Sequence, residues 1–170
     1  MRRIIIILSL LLFLTGCAGN LKDGVSYLED GKYEEAIATF QKDIKKKKNL
    51  DEAYRGQGIA YFELGNYGNA VSSFKLALEN DAKDTATIHS FLGACYMELG
   101  EYGLALDSYE HALTKQDLTK EMKQEIQFNL IVVYEKMCNW DAAKKQMETY
   151  VELYPDDSRV EKEAEFLKTR

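Results

Sequence analysis

The chain is short of cysteine, of long apolar runs and of basic side chains, and each shortage removes a class of function. Three cysteines in 170 residues are too few for a disulfide framework, and no Cys-x-x-Cys pair offers zinc or redox spacing. Cys95 and Cys138 read as packing residues. A bridge between them would need α-carbons about 4.4 to 6.8 Å apart, which sequence alone leaves open. Twenty-two Lys and Arg against 28 Asp and Glu give a net charge of −6. Nucleic-acid affinity comes mostly from neutralising phosphates, so this balance excludes nucleic acid as a partner. The longest apolar run, Ile4 to Leu14 broken only by Ser9, is about half of the roughly 20 residues a spanning helix requires. Gly-x-Ser-x-Gly elbows, phosphate loops and His-Glu-x-x-His helices are all missing. His89 and His111 fall on different helices, and no Cys, His and carboxylate group has ligand spacing. No metal, cofactor or catalytic residue is expected. Glu34-Glu35 and Asp156-Asp157 read as solvated faces, and Ser72-Ser73 lacks any nucleophile motif.

What is present begins at the first residue. Arg2 and Arg3 form a basic start, the Ile4–Leu14 run follows, and Leu14-Thr15-Gly16-Cys17 closes it with small residues before a thiol. Asn20, Lys22 and Asp23 come at once, as after the apolar core of a secretory signal and not as in a permanent anchor. The tetrad resembles the lipobox of bacterial lipoproteins. That resemblance implies that residues 1–16 are removed and that Cys17 becomes a diacylglyceryl-bearing first residue. Two acyl chains anchor durably where one holds only marginally, at about 0.8 kcal/mol per buried methylene. The expected location is the extracytoplasmic side of a bacterial membrane. Ala18 in place of aspartate favours the outer membrane in enteric-type bacteria and means nothing in a single-membrane organism, so the choice of membrane stays open. Processing removes two arginines and no acid, which takes the basic count from 22 to 20 against 28 acids and the net charge to about −8.

An internal repeat follows. Gly24, Tyr27, Gly31, Tyr33, Ala36 and Phe40 recur 34 residues on as Gly58, Tyr61, Gly65, Tyr67, Ala70 and Phe74, and 35 further as Gly93, Tyr96, Gly100, Tyr102, Ala105 and Tyr109. A weaker fourth copy holds Tyr134, Trp140, Ala143 and Met147, with Ile131 and Cys138 replacing two glycines. Its extra length fits within Thr114 to Lys120, where an insertion costs little.

Each unit reads as two helices. Asp51–Leu64 and Tyr67–Asn80 have apolar residues at helical spacing, separated by Gly65 as a stop and Asn66 as an N-cap. A glycine inside a helix costs roughly 0.5 to 1 kcal/mol against alanine. Close helix approach would offset this, with Gly58 and Ala70 leaving room for two backbones and Tyr61 and Phe74 filling the space beside the crossing. A lone hairpin cannot bury both faces, so units stack.

Leu92-Gly93-x-x-Tyr96, Gly100-x-Tyr102-x-x-Ala105, Tyr109 and Ala112 resemble the tetratricopeptide repeat, and Asp51 to Asp84 follows the same pattern. The resemblance implies an all-α fold, a right-handed α-solenoid of helix hairpins. Units are expected at about 17–50, 51–84, 86–119 and 124–157, the last ending at Pro155. A capping helix is expected over 158–170, with Ser158 and Glu161 spaced as a capping box. Asp43 departs from the pattern, standing where Ala77 and Ala112 do. Four chain steps of at most about 3.6 Å keep the first unit within about 14 Å of Cys17, so the solenoid should lie close to the bilayer.

In this family the first helices line the concave face. Carried over, Val25, Ile59, Ala94 and Val132 floor a groove, Leu28, Phe62 and Met97 edge it, and Arg55, Ser90 and Phe128 complete it. Such a surface suits an extended or helical peptide with apolar anchors, and Met97 would let it repack. Leu21, Val25, Gly56, Thr87 and Phe91 stand where carboxylate-clamping relatives have their basic pattern, which excludes that ligand class. A stripe at helical spacing also fits packing against the next repeat. Lys42 and Lys45 to Lys48 form the one concentrated positive charge, read either as a solvated turn or as a contact for anionic headgroups. The expected function is a membrane-tethered scaffold for protein or peptide partners at the cell envelope, with self-association through an exposed end compatible. The alternatives are a wall-acting enzyme, which needs a pocket of converging titratable groups, and a solute-binding lipoprotein, which needs strand-built domains.

Overall fold

The computed structural model describes residues 20–170, so the signal expected over 1–16 and the lipidation site Cys17 lie outside the described residues. Among the described residues there are nine helices and no strand: α1 Asn20–Glu29, α2 Tyr33–Lys45, α3 Leu50–Glu63, α4 Tyr67–Glu79, α5 Ala86–Leu99, α6 Tyr102–Leu113, α7 Lys120–Lys136, α8 Trp140–Leu153 and α9 Arg159–Lys168. They form four helix hairpins followed by an end helix. This is the all-α solenoid that the repeat spacing implies.

The turns within hairpins are set by backbone chirality. Gly31, Gly65 and Gly100 have φ of 72°, 73° and 77°, a region an L side chain enters only at a cost of roughly 1 to 2 kcal/mol. Cys138 occupies the same place in the fourth hairpin at φ 56°. It is exposed, whereas Cys95 is buried, and both are free thiols. Only Cys95 is therefore a packing residue. Thr85, Thr119 and Asn139 cap α5, α7 and α8 by accepting backbone N–H groups of Ile88, Met122 and Ala142. Asn66 stands at the N-cap of α4 but makes no side-chain capping bond. The capping box of α9 is also unformed: Ser158 is helical at φ −61°, ψ −14° without a side-chain cap, and Asp157 Oδ1 accepts the Arg159 N–H at 2.9 Å in its stead.

The helix glycines have a more specific role than close backbone approach. A β-carbon on Gly58 would lie 2.8 Å from the Phe74 ring, one on Gly93 2.7 Å from the Tyr109 ring, and one on Gly24 2.5 Å from the Phe40 ring. The aromatic ring of the second helix thus lies over the glycine of the first. Phe40 is held between two of them, because Gly56 of α3 also abuts its ring. Phe40, Phe74 and Tyr109 are each 0% exposed, and burial of such a side chain stabilises by roughly 1.5 to 3 kcal/mol, more than the glycine costs.

Three apolar clusters run along the stack. The first joins Leu21, Ala36, Phe40, Ala53 and Ala60; the central and largest extends from Ile59 and Phe74 through α5 to Ile126 and Val133; the third joins Ile131, Ala143, Met147, Tyr150 and Leu167 of the end helix. All of these core residues lie between Leu21 and Leu167. First helices also approach one another, α1 against α3 and α3 against α5, while no two of α2, α4, α6 and α8 come comparably close. A stack whose first helices meet and whose second helices splay apart curves with the first helices inside.

Candidate functional site

The inner side of the curve is therefore built by α1, α3 and α5, with α7 continuing the series of first helices. The residues singled out there fall into two groups. Ile59, Ser90, Ala94 and Met97 are buried, at 9%, 6%, 4% and 8% exposure. Val25, Leu28, Arg55, Phe62, Phe128 and Val132 are half-buried. Leu28, Ile59, Phe62, Met97 and Val132 all join the central cluster, Val25 joins the first, and Phe128 joins the third. Phe62 packs edge-on against Phe91 and Tyr67, with ring centroids 5.1 and 5.7 Å apart. Arg55 borders a small cleft of about 100 Å³ with Asp51, Glu52, Ala82 and Lys83.

The burial of Ser90, Ala94 and Met97 follows from α5 as a whole. Every residue from Ser90 to Met97 is buried, as expected of a helix that is apolar or small all round. That composition was visible in Ser90-Phe-Leu-Gly-Ala-Cys-Tyr-Met97, and it marks α5 as the keel of the stack.

A larger concavity lies where no repeat position pointed. About 590 Å³ of open groove separates α8 from α9, floored by Met147, Val151, Ala164 and Leu167 and rimmed by Lys144, Glu148, Glu152 and Lys168. The sequence signal for it is the apolar stripe Val160, Ala164, Leu167 on the end helix, facing Met147 and Tyr150.

A polar network fixes the entry to that end helix. Arg159 reaches Asp157 Oδ2 at 2.7 Å and Glu125 Oε2 at 2.8 Å, and its guanidinium lies 4.1 Å from the Phe128 ring centroid. Tyr150 Oη donates to Asp157 Oδ2 at 2.5 Å and Gln124 Nε2 to the same oxygen at 3.0 Å. Hydrogen bonds from the guanidinium hold the Asp157 carboxyl well below the usual carboxylate range. Burial, with Asp157 beside it, pushes the Tyr150 phenol up to about 12. One turn along, burial and the neighbouring Glu163 push the Glu135 carboxyl up to about 7, and Glu135 Oε1 is buried without a hydrogen-bond partner.

The histidines meet, although on separate helices. Their rings are 5.1 Å apart and nearly perpendicular, and His89 Nε2 lies 2.6 Å from Asp84 Oδ1, which Lys115 also engages through Oδ2 at 2.7 Å. Burial lowers the His89 pKa against the opposing pull of Asp84. The arrangement ties the α4–α5 turn to the end of α6. Among the described residues no cluster of three or more His, Cys, Asp or Glu could hold a metal.

A family model described as the Psidin N-terminal tetratricopeptide repeat region matches residues 25–163. The chain belongs to the tetratricopeptide repeat proteins. A second model, the prokaryotic membrane lipoprotein lipid attachment site, matches residues 1–18. No helix among the described residues is long and apolar enough to cross a membrane. No curated protein sequence matches the chain. Among solved structures this tetratricopeptide protein resembles MamA 41-end from Desulfovibrio magneticus RS-1, at 22% identity over 89% of this chain and 82% of that one with a TM-score of 0.76. A further crystal structure of MamA gives 21% identity, 87% and 78% coverage and a TM-score of 0.75, and MamA AMB-1 gives 19%, 87%, 78% and 0.72. At such identities the likeness is one of fold.

Proposed function

We propose that the chain is a membrane-tethered adaptor that presents its curved repeat array to protein or peptide partners on the extracytoplasmic side of a bacterial membrane. The observation that carries the reading is the union in one chain of a lipid attachment site over 1–18 and a repeat array over 25–163. Residues 1–16 serve as the signal, Cys17 as the lipidated first residue, 17–157 as four units near 17–50, 51–84, 86–119 and 124–157, and 158–170 as the cap. The half-buried inner-side residues Val25, Leu28, Arg55, Phe62, Phe128 and Val132 meet the partner, backed by Ile59, Ser90, Ala94 and Met97. Their apolar character suits a helix or extended segment with greasy anchors. Tethering adds an effective-concentration advantage for any partner sharing the membrane. Assembly or regulation of envelope machinery is the setting such an adaptor serves, and a second copy of the chain is one candidate partner.

No catalytic step belongs to this proposal. The α8–α9 groove is floored by apolar side chains and rimmed by lysines and glutamates, and the cleft at Arg55 is small, at about 100 Å³.

Crosslinking of the lipidated protein in its own cells, followed by mass spectrometry, tests the reading. A recurrent envelope protein should be captured through α3, α5 and α7, and lost with Arg55→Glu at unchanged melting temperature. Cys17→Ser should release the chain from the membrane fraction. Empty capture under varied growth conditions, or undiminished sedimentation of Cys17→Ser, would overturn it.

A further inference from the structure

The hairpin geometry places the lysine-rich turn beside the lipid anchor. Asn20, the first described residue of α1, donates from Nδ2 to Asp43 Oδ1 at 2.9 Å. The backbone carbonyl of that same Asp43 accepts the Lys48 N–H at 3.0 Å. Asn20 is three chain steps from Cys17, which by any path is at most about 11 Å. The anchor and Lys45 to Lys48 therefore share one end of the first hairpin. Asp43 is 4% exposed and stands where later hairpins have Ala77 and Ala112, so the departure from the repeat pattern is what ties the start of α1 to this turn.

The turn itself is built as an exposed cationic tip. Lys42, Lys45, Lys46, Lys47 and Lys48 are all exposed, and none has an ion-pair partner among the described residues. Lys47 and Asn49 hold φ of 52° and 45°, where glycine would be less strained. The corresponding turns farther along carry acids: Asp81 and Asp84 after α4, Asp117 after α6, and Asp156 and Asp157 after α8. Lys115, the cation of the second of these, is already paired with Asp84. Clustered free positive charge among these turns is thus found in the turn nearest Cys17, whereas the unpaired Lys83 of the turn after α4 is flanked by Asp81 and Asp84, on a chain whose overall charge is negative.

We propose that the Lys45–Lys48 turn, with Lys42, is a second membrane contact that binds anionic phospholipid headgroups and seats the first hairpin on the bilayer. This rests on the lipid-anchored reading, because an anchor at most about 11 Å from Asn20 holds the turn at a separation comparable to the Debye length, roughly 8 Å at physiological ionic strength, so that headgroup charge is not screened out. The acidic turns farther along are repelled by the same surface, so contact is oriented. A lysine near an anionic surface contributes about 1 kcal/mol, about fivefold in partitioning.

Two measurements separate this inference from the reading beneath it. The lipidated protein should sediment with pure phosphatidylcholine vesicles, and failure there would sink the anchor. The mature chain beginning at residue 17 with Cys17→Ser keeps every described core residue and isolates the lysines. It should bind vesicles of equal phosphatidylglycerol and phosphatidylcholine, ignore pure phosphatidylcholine, and lose binding equally to chloride and to inorganic phosphate at matched ionic strength. Lys45, Lys46, Lys47 and Lys48 all changed to glutamine should weaken partitioning by about 600-fold, with the helical dichroism retained, while the fourfold arginine variant keeps it. Equal binding to both vesicles, a glutamine variant that binds as the parent does, selective displacement by phosphate, or capture of poly-glutamate in preference to vesicles would each overturn the proposal.

Discussion

The first three hairpins and the fourth solve the same packing problem with opposite residues. In the first three a glycine on the first helix receives a buried ring from the second, in the couples Gly24–Phe40, Gly58–Phe74 and Gly93–Tyr109. In the fourth, Ile131 stands in the glycine's place and Met147 in the ring's, and both are buried in one cluster. The crossing therefore demands a fixed filling, not a fixed residue. A flexible thioether fills an irregular gap without defining one geometry, and the fourth hairpin has a second device that the others lack. Arg159 bridges Glu125 of α7 to Asp157 at the entry of α9, with Tyr150 of α8 bonded to the same carboxylate.

The sharpest way to break this comparison is to treat Gly93 as Ile131 is treated. Gly93→Val puts a branched carbon 2.7 Å from the Tyr109 ring, and the ring has no free space to enter, being fully buried. Overpacking of this kind costs roughly 3 kcal/mol, read as a fall in denaturant midpoint at constant slope. Gly103→Ala is the matched control, since nothing lies within 4 Å of its β-carbon position, and it should melt no lower than the parent. A Gly93→Val variant as stable as Gly103→Ala would show that the ring does not depend on the glycine.

The next largest effect tests the device peculiar to the C-terminal end. Arg159→Ala removes the one cation between Asp157 and Glu125 and uncovers Phe128, with an expected loss of about 2 kcal/mol for hydrogen bonds to charged groups. The pH dependence has a definite sign. Asp157 is held below its ordinary pKa, so its contribution is fully present above about pH 4 and is lost as pH falls through the folded-state value. The gap between parent and variant in thermal unfolding should accordingly stay constant from neutral pH down to about pH 4 and narrow below it. A gap independent of pH down to acid unfolding would assign Arg159 a packing role on Phe128 alone.

These two regions also divide what sequence could and could not disclose. The hairpins were legible because their determinants are local: Gly65 or Gly100 stopping one helix, apolar spacing on either side, and a period close to 34 residues that repeats the arrangement. The polar latch was not, because Arg159 and Glu125 are 34 residues apart and charged side chains carry no periodic mark of their partner. The inner-face residues were legible as a stripe but not as a surface. Ile59 and Phe62 belong at once to the curve's inner side and to the central cluster, yet Ile59 is buried and Phe62 half-buried, a difference of packing depth that spacing does not encode. Ser158 with Glu161 matched a capping signature, yet Asp157, already oriented by Tyr150 and Arg159, took over the task.

The smallest effect lies where the last first-helix meets the cap. Glu135 on α7 is pushed up to about 7 by burial and then by Glu163 on α9, with Lys136 opposing. Two carboxyl groups at one contact favour sharing a proton, because both cannot ionise there without repulsion. A carboxyl with a raised folded-state pKa favours the folded chain most fully below its unfolded value, near pH 4.5, and that advantage is lost as pH rises through about 7. Docking of α9 should therefore loosen between mildly acidic and mildly alkaline conditions, seen as faster amide exchange in α9 than in α7. Glu135→Gln keeps the shape and removes the charge, so it should stabilise the chain at pH 8 by roughly 0.5 to 1 kcal/mol, discounted for solvent screening of a half-exposed pair, and change little at pH 4.5. If the variant were as pH-sensitive as the parent, the repulsion would not act through Glu135, and the pH dependence of the cap would have to come from its other contacts, among them Arg159 with Asp157 and Glu125.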